Sequence, residues 1–357
     1  MDLPRTVSPL FVTADPALLD GLQPLAAGAG VAAGVAHDVA SALRAWSAAA
    51  LVLVGPDLLG ELAAAGPARR DGVHVVTLGD AWASDGLFRD AVTVGATSVV
   101  ELPLAAGWLA DELADVSDPL AGRGVVIGVI GGCGGAGATT LACALGQAAG
   151  RAGPALVVDA DACGPGVDRV LGLDDLEGIR WSDLQASAGR LSSSSLRDAV
   201  PRRGGVGALT WSAGDAGSLH APAVREAIAA GQRGHRVVVV DLPRLPTAWT
   251  DEVVSRCDLV LVVVRPSLAG VASAARLVSA QPGGVRAGLV LRRVARAIPA
   301  TEVSAAMGLP VLAEMADQRG VDESVELGLG PLRSSHGPLF RAAAELLAEA
   351  LDPGLAA

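Results

Sequence analysis

A buried-strand pattern that runs directly into a glycine-rich loop and two threonines constrains this chain more than any other feature. The strand pattern covers Val125–Ile130, and the sequence continues Gly131-Gly132-Cys133-Gly134-Gly135-Ala136-Gly137-Ala138-Thr139-Thr140. A phosphate-binding loop surrounds phosphates with backbone N–H groups at a helix N-terminus, and a lysine normally adds positive charge. The chain contains no lysine, so it keeps the architecture of such a loop without its charge.

Length and composition indicate a globular protein. A chain of 357 residues with 51% hydrophobic residues is long enough for two domains with full cores. Its formal net charge of −11 argues against a broad nucleic-acid surface, because binding to phosphates needs clustered cations. No signal peptide and no apolar run of membrane-spanning length are evident. We therefore expect a cytoplasmic protein.

Strands alternate with helices along the whole chain, which predicts parallel α/β sheets. We expect a first domain over residues 1–116, a linker over 117–124 and a doubly wound second domain over 125–357. In the first domain, strands are expected at Leu10–Thr13, Ala50–Val54, Val73–Leu78 and Ser98–Glu101. In the second they are expected at Val125–Ile130, Ala155–Asp159, Ala208–Trp211, Arg236–Asp241, Leu259–Val264, Ala287–Leu291 and Val311–Leu312.

The first domain resembles a response-regulator receiver, which has a flavodoxin-like fold, through the strand end Gly95–Pro103. Receivers place a lysine before that proline, where this chain has Leu102. They also hold Mg²⁺ with paired acids after the first strand and accept phosphate on an aspartate at the end of the third. Asp15 is the one acid near the first strand, and Asp57 comes too late for the phosphorylated position. The resemblance therefore implies a degenerate receiver-like module that binds proteins.

Two interpretations of the glycine loop compete. Gly132–Gly137 satisfies the dinucleotide pattern GxGxxG, and Asp159 follows about twenty residues later, where that fold holds a ribose. Thr139 and Thr140 instead favour a phosphate-binding loop, because such proteins place a Mg²⁺-binding hydroxyl there. Asp161, and Asp241 at the end of a second buried strand, supply the other acids of a phosphate site. The phosphate-loop interpretation accounts for more residues.

Residues 124 to about 350 resemble the MinD/ParA family of deviant-Walker P-loop ATPases, nearest its CpaE/TadZ-like branch. The family loop KGGxGKTT aligns with Cys133–Thr140, so both lysines are missing, at Cys133 and at Ala138. Leu171–Leu173 and Gly178–Leu184 resemble a stretch typical of the CpaE-like branch. With the receiver-like domain in front, the whole chain resembles actinobacterial septum site-determining proteins.

The resemblance implies a set of site residues. A nucleotide would be bound by Gly134, Gly135, Gly137, Ala138, Thr139, Thr140, Asp159 and Asp241, with Mg²⁺ on Thr139 and Asp241. Asp161 would position the attacking water in an active enzyme. A cation about 4 Å from a phosphate contributes on the order of 4 kcal/mol at an effective dielectric near 20. With two cations missing, we expect weak binding of ATP or ADP with Mg²⁺ and no efficient hydrolysis.

The sequence thus predicts a scaffold protein, a pseudo-ATPase that positions machinery through protein partners. Septum site placement in cell division and localisation of a Tad/Flp-type pilus or secretion apparatus are both consistent with it, with recruitment to the septum or the cell pole. An ATPase that uses Arg244, Arg292 or Arg293 in place of lysine and an NAD-binding Rossmann protein remain alternatives. Because Cys133 removes the charge that crosses the family dimer, any homodimer should be nucleotide-independent.

The C-terminal segment Leu339–Leu351 has an amphipathic pattern. Its charged side carries Arg341 against Glu345, Glu349 and Asp352, whereas an anionic bilayer attracts basic residues. We expect this helix to pack on the second domain, with no direct insertion into a membrane.

Overall fold

The computed structural model describes residues 8–79, 85–117, 124–186, 191–212, 219–245, 249–280, 284–293 and 297–352. The chain divides into two compact units, Met1–Ala121 and Gly122–Ala357. Most of the expected linker 117–124 lies outside the described residues. In the described part of the chain, no helix is long and apolar enough to cross a membrane.

The first unit is built on one parallel sheet of five short strands. The strands are β1 Leu10–Val12, β2 Gly34–Ala36, β3 Val52–Val54, β4 Val73–Leu78 and β5 Ser98–Leu102. The helices are α1 Pro16–Gly28, α2 Val39–Trp46, α3 Pro56–Ala65, α4 Asp85–Val94 and α5 Ala106–Ser117. The strand order β2-β1-β3-β4-β5 is that of flavodoxin-like folds, which confirms the predicted fold of this unit.

Helix starts in the first unit follow from local sequence. Asp15 caps α1 by accepting a hydrogen bond from the Ala17 N–H at 2.9 Å, and Asp38 caps α2 through the Ser41 N–H at 2.7 Å. Side-chain oxygens at this position satisfy N–H groups that have no partner within the helix. Asp15, expected near a receiver metal site, thus has a capping role. The strand β2 was not predicted, since it has only three residues and two of them are exposed.

The second unit contains a larger, almost wholly parallel sheet. Its strands are β6 Val125–Gly131, β7 Ala155–Asp159, β8 Arg202–Arg203, β9 Val206–Leu209, β10 Val237–Leu242, β11 Leu259–Val264, β12 Ala287–Arg292 and β13 Val311–Met315. The order is β13-β12-β11-β6-β10-β7-β9-β8, and within the described residues only β8 pairs antiparallel, with β9. This is the doubly wound α/β arrangement that the sequence predicts. It places β6, which leads into the glycine loop, between β10 and β11.

Ten helices of the second unit lie in the described residues. They are α6 Ala138–Gly150, α7 Val167–Leu171, α8 Trp181–Ala186, α9 Ser193–Ala199, α10 Ala221–Gly234, α11 Thr250–Val254, α12 Leu268–Ala280, α13 Ala300–Met307, α14 Val321–Glu326 and α15 Pro338–Leu351. Separate clusters of buried apolar residues cover the two faces of the sheet. The strands therefore read as continuous apolar runs, as expected for parallel strands buried on both faces.

The C-terminal helix α15 packs on the second unit, as its apolar pattern predicts. Leu339, Ala343, Leu346 and Leu347 are buried in the same apolar cluster as the inner face of α6. Phe340 lies at the margin of that cluster, with the Arg151 guanidinium 5.0 Å from its ring centre. The apolar side of α15 is therefore used within the fold.

The helix after the glycine loop approaches the sheet closely because Gly146 has no side chain. A Cβ at this position would overlap Cγ2 of Val157 and lie 3.3 Å from Cγ2 of Val206. Gly146 is therefore required by packing, although glycine disfavours a helix.

Gly146→Ala should lower the free energy of unfolding by about 1–2 kcal/mol, because overpacking costs more than the gain in helix propensity. Urea denaturation measures the loss. Adding Val157→Ala should make the combined loss smaller than the sum of the two single losses, since it frees the overlapped space. Gly60→Ala in α3 is the control, because there the added methyl meets a single atom, Oδ2 of Asp90 at 3.5 Å. An additive double variant would contradict this packing argument.

Candidate functional site

The glycine loop runs from the end of β6 to the first residue of α6. Gly135 and Gly137 have φ angles of +66° and +95°, a conformation that residues with side chains rarely adopt. The Gly132 N–H donates to the Val263 carbonyl at 2.8 Å, and a Cβ at Gly132 would lie 2.7 Å from the Ala274 Cβ. The positive φ angles and the close approach therefore fix where glycine is needed.

Three strands bring the predicted acids to the loop. In the parallel register, Asp241 of β10 pairs with Asp159 of β7 on one side and with Val129 of β6 on the other. The Thr139 side chain, in the first turn of α6, hydrogen-bonds the Asp241 carboxylate. The Asp161 N–H donates to Oδ1 of Asp159 at 3.1 Å. Thr139, Asp159, Asp161 and Asp241 thus meet at the carboxyl edge of the sheet, beside the loop residues 134–140.

The Asp159 carboxylate is filled by hydrogen bonds from its own chain. Besides Asp161, the Val167 N–H donates to Oδ2 at 3.1 Å and the Thr210 hydroxyl donates to Oδ2 at 2.8 Å. The Trp181 indole N–H donates to the Asp159 backbone carbonyl at 2.7 Å. Asp159 therefore joins the loop after β7 to the ends of β9 and α8. Thr210 and Trp181 were not predicted, because such partners are distant in sequence.

Burial makes ionisation of two carboxyl groups unfavourable. It raises the pKa of Asp241 to about 7; the Thr139 hydrogen bond opposes this rise, and the charges of Asp159 and Asp161 add to it. Burial also raises the pKa of Asp159 to about 6, against the hydrogen bonds from Thr210, Val167 and Asp161. The Cys143 thiol lies in the same region, and burial together with these acids raises its pKa well above the ordinary value. Cys143 is therefore not an activated thiol.

One of the three candidate arginines hydrogen-bonds to the loop, and a second lies beside the end of β6, where the loop starts. The Arg292 Nη1 donates to the Gly135 carbonyl at 3.1 Å, and its Nε donates to the Asp317 carboxylate at 3.2 Å. The Arg244 Nη2 donates to the Ser273 hydroxyl at 3.0 Å. A Cβ added to Gly131 would lie 3.7 Å from Cδ of Arg244. Arg292 and Arg244 thus flank the loop from β12 and from the end of β10.

Arg293 is directed elsewhere. Its Nη2 donates to the Glu314 carboxylate at 3.0 Å, and its side chain is exposed. Successive side chains of an extended segment point to opposite sides, so Arg292 and Arg293 diverge. The alternation could have predicted that at most one of the two arginines reaches the loop.

A cavity of about 290 Å³ opens beside the loop. Its lining includes Gly137, Thr140, Arg292, Met315, Asp317 and Leu339. Cys133 is half-buried against the apolar cluster under the loop, and Ala138 is packed in the same way. At both positions where the similar MinD/ParA loop has a lysine, this chain therefore has a small side chain packed against apolar residues.

The acid of the first unit that lies nearest a receiver phosphorylation position is also bound by its own chain. Asp57, in the first turn of α3, accepts hydrogen bonds from the Thr13 hydroxyl at 2.8 Å and from the Ala14 N–H at 2.7 Å. Leu102, in place of the receiver lysine, is buried. The hydrogen bonds to Asp57 join the ends of β1 and β3.

Comparison with known proteins gives a family for this chain. Residues 12–124 match a family model described as the Rv3660c-like, CheY-like N-terminal domain. Two Mycobacterium tuberculosis proteins, uncharacterized protein Rv3660c of strain H37Rv and uncharacterized protein MT3760 of strain CDC 1551, are each 37% identical over 328 residues. These matches cover 88% of this chain and 90% of each relative. The chain belongs to the Rv3660c-like family.

Solved structures show which fold this member of the Rv3660c-like family shares. A ParA family ATPase from Chlorobium tepidum has a TM-score of 0.58 at 18% identity, covering 64% of this chain and 99% of that one. The septum site-determining protein MinD of Pyrococcus horikoshii, complexed with Mg-ADP, has a TM-score of 0.52 at 21% identity. The match covers 65% of this chain and 98% of that one. The MinC:MinD cell division protein complex of Aquifex aeolicus has a TM-score of 0.52 at 18% identity, covering 64% of this chain and 97% of that one. The expected combination of a receiver-like domain and a MinD/ParA-like fold is confirmed.

Thr210→Val should lower the free energy of unfolding by about 1–2 kcal/mol at pH 8, because the buried Asp159 carboxylate loses a donor. The pKa of Asp159 should rise further in this variant, since the Thr210 hydrogen bond favours the ionised carboxylate. Urea denaturation followed by tryptophan fluorescence measures the loss. Thr210→Ser keeps the hydroxyl and is the matched control. Equal stability of the valine and serine variants would show that this hydrogen bond contributes nothing.

The raised pKa of Asp241 predicts a pH dependence. The folded state keeps the Asp241 proton up to about pH 7, whereas the unfolded state releases it near the ordinary aspartate pKa of 3.8. The folded state therefore holds more protons between these values, and the free energy of unfolding falls as pH rises through this window. Asp241→Asn should be more stable than the parent at pH 8, by on the order of 2 kcal/mol, with the difference shrinking towards pH 4.

Urea denaturation at several pH values tests this prediction. The Asp241→Asn variant should keep part of the parent's pH dependence of the free energy of unfolding, because Asp159 titrates over a similar range with a pKa of about 6. Asp175→Asn alters an exposed carboxylate and is the control for a change of net charge. An asparagine variant that is less stable than the parent at pH 8 would be the opposite of the expected result.

Proposed function

We propose that this protein is a pseudo-ATPase scaffold, which uses a MinD/ParA-like fold to bind and position protein partners. The observation that carries the proposal is the glycine loop, in which Cys133 and Ala138, at the two lysine positions of the similar family, are half-buried against the apolar cluster. Without those charges, the loop has backbone N–H groups and a helix N-terminus for a phosphate, and each contributes only about 0.3–1 kcal/mol.

The residues present fit Mg-nucleotide only in part. Gly134 and Gly135 are exposed and leave the loop backbone open to a phosphate, whereas Gly137 is half-buried beside Arg292 and Met315. The Thr139 hydroxyl beside the Asp241 carboxylate is a suitable oxygen pair for Mg²⁺. Such a metal would supply positive charge at the phosphates. Asp241 would have to be ionised, however, and burial disfavours this near neutral pH. We therefore propose weak binding of ATP or ADP, with Ala138 and Thr140 lining the loop and Asp159 bracing it.

Efficient hydrolysis is not expected from these residues. Asp161, the candidate for positioning water, accepts a hydrogen bond from the Cys163 N–H at 3.1 Å within its own loop. Stabilisation of phosphoryl transfer depends on cations placed at the transferring phosphate. Arg292, the arginine nearest the loop, is bonded to a carbonyl and to Asp317. Any positioning role of Asp161 would therefore act on a poorly stabilised reaction.

The proposed cellular role is positioning, either of the septum site in cell division or of a Tad/Flp-type pilus or secretion apparatus. The similar solved structures include MinD, described as septum site-determining, and a complex of MinD with MinC, which supports a partner-dependent role. We propose a CpaE/TadZ-like or septum-determining branch, a cytoplasmic protein recruited to the septum or cell pole by partners, and a nucleotide-independent homodimer. The fused receiver-like unit would be a second binding module.

A second candidate function is an ATPase that uses arginine in place of lysine. The contact between Arg292 and the Gly135 carbonyl favours it, because it places a guanidinium at the loop. The NAD-binding alternative is weaker. Both oxygens of Asp159, the acid that would hold a ribose, already accept hydrogen bonds from Asp161, Val167 and Thr210.

Calorimetric titration with ATP plus Mg²⁺, ADP and NAD, together with a phosphate-release assay, tests the proposal. The protein should bind ATP more weakly than micromolar, release no phosphate above the blank and show no preference for NAD. Ala138→Lys should tighten ATP binding at least about tenfold, because it restores one cation at the loop. Ala138→Gln has similar length without charge and is the matched control.

Micromolar ATP affinity in the parent, with phosphate release that Asp161→Ala abolishes, would show a working ATPase and overturn the scaffold proposal. Selective NAD binding would overturn the phosphate-loop interpretation itself. A dimer that forms only with ATP, measured by light scattering, would contradict the nucleotide-independent assembly. The genes beside this one in its genome distinguish the two roles. Neighbouring genes for division proteins would support the septum role, and genes for pilus or secretion proteins would support the pilus role.

A further inference from the structure

One arginine connects three segments around the glycine loop. Arg292 is the last residue of β12 and pairs with Met315 at the end of β13. Its Nη1 donates to the Gly135 carbonyl at 3.1 Å, and its Nε donates to Oδ1 of Asp317, just beyond β13, at 3.2 Å. The guanidinium therefore ties the loop between β6 and α6 to the connection that leads into α14.

The exposed part of the loop has little other support among the described contacts. Gly134 and Gly135 are exposed, and a Cβ on either would meet nothing within 4 Å. The Ala136 N–H donates to the Cys133 carbonyl at 3.3 Å, a bond inside the loop itself. Glycine has the largest backbone freedom of any residue. An empty glycine loop therefore needs a tether if it is to stay ordered.

Arg292 is placed to be that tether. A Cβ added to Gly137 would lie 3.6 Å from the Arg292 Nη1 and 3.3 Å from the Met315 Cε, so both side chains lie beside the end of the loop. In a phosphate-binding loop an anion holds the loop through its N–H groups. Here a cation holds it through a carbonyl group. The Arg292 side chain is 38% exposed and the Asp317 side chain 71% exposed, so the contact lies at the surface and can open.

We propose that Arg292 is an internal latch, which orders the glycine loop in the absence of any ligand and which Asp317 holds in place. The geometry favours a latch over a phosphate ligand, since the Nε and Nη1 edges both face groups of the protein. The latch concerns the loop without nucleotide. It therefore stands or falls independently of whether the protein hydrolyses ATP.

Hydrogen–deuterium exchange of the full chain without nucleotide tests the latch. In Arg292→Ala, exchange in peptides covering residues 131–140 should increase about tenfold, which corresponds to the loss of one hydrogen bond from a charged donor. Arg293→Ala removes the neighbouring arginine, which pairs with Glu314 away from the loop, and should leave that exchange unchanged. Peptides of β7 and β10 should not change in either variant.

Asp317→Asn gives an independent route, because it weakens the latch at an exposed side chain and leaves the core untouched. It should increase exchange of the loop about threefold, less than Arg292→Ala, since the bond to Gly135 can remain. Unchanged exchange of residues 131–140 in both Arg292→Ala and Asp317→Asn would overturn the latch. So would an equal increase in Arg293→Ala, which would show a general effect of lost charge.

Discussion

The parallel pairing of β6, β10 and β7 determines which side chains come together at the carboxyl edge of the second sheet. The register sets Asp241 beside Asp159, and the loop that leaves β6 brings Thr139 onto Asp241. Parallel strands buried on both faces leave polar groups only at their ends, so these carboxyl groups must lie close together. Two buried acids without a lysine are costly to ionise, and their raised pKa values express that cost.

The chain limits this cost in different ways at the two acids. Asp159 accepts hydrogen bonds from Asp161, Val167 and Thr210, which offset part of the cost of burying its carboxylate. At Asp241, burial and the charges of Asp159 and Asp161 raise the pKa, and a single hydrogen bond, from the Thr139 side chain, opposes the rise. Asp159 is therefore a structural link between segments. Asp241 is the group whose environment would change most if a cation arrived.

The sequence predicted much of this architecture because its strands are long apolar runs. Val73–Leu78, Ala155–Asp159 and Leu259–Val264 have the predicted bounds. The strand at Val206–Leu209 begins and ends two residues before the predicted Ala208–Trp211, because it is aligned by pairing with β7 and not by its own pattern. Neither the three-residue β2 nor the two-residue β8 has a sequence signal. The contacts of Arg292, Thr210 and Trp181 depend on which strands become neighbours, and one sequence does not contain that information.

The two units reach the same physical solution at the positions where related folds bind a ligand. In the first, the Thr13 hydroxyl and a backbone N–H bind Asp57. In the second, the Thr210 hydroxyl and two backbone N–H groups bind Asp159. In each case a carboxylate near such a position is stabilised by donors of its own chain. Because those hydrogen bonds are internal, donors of the chain itself offset part of the cost of burying each carboxylate.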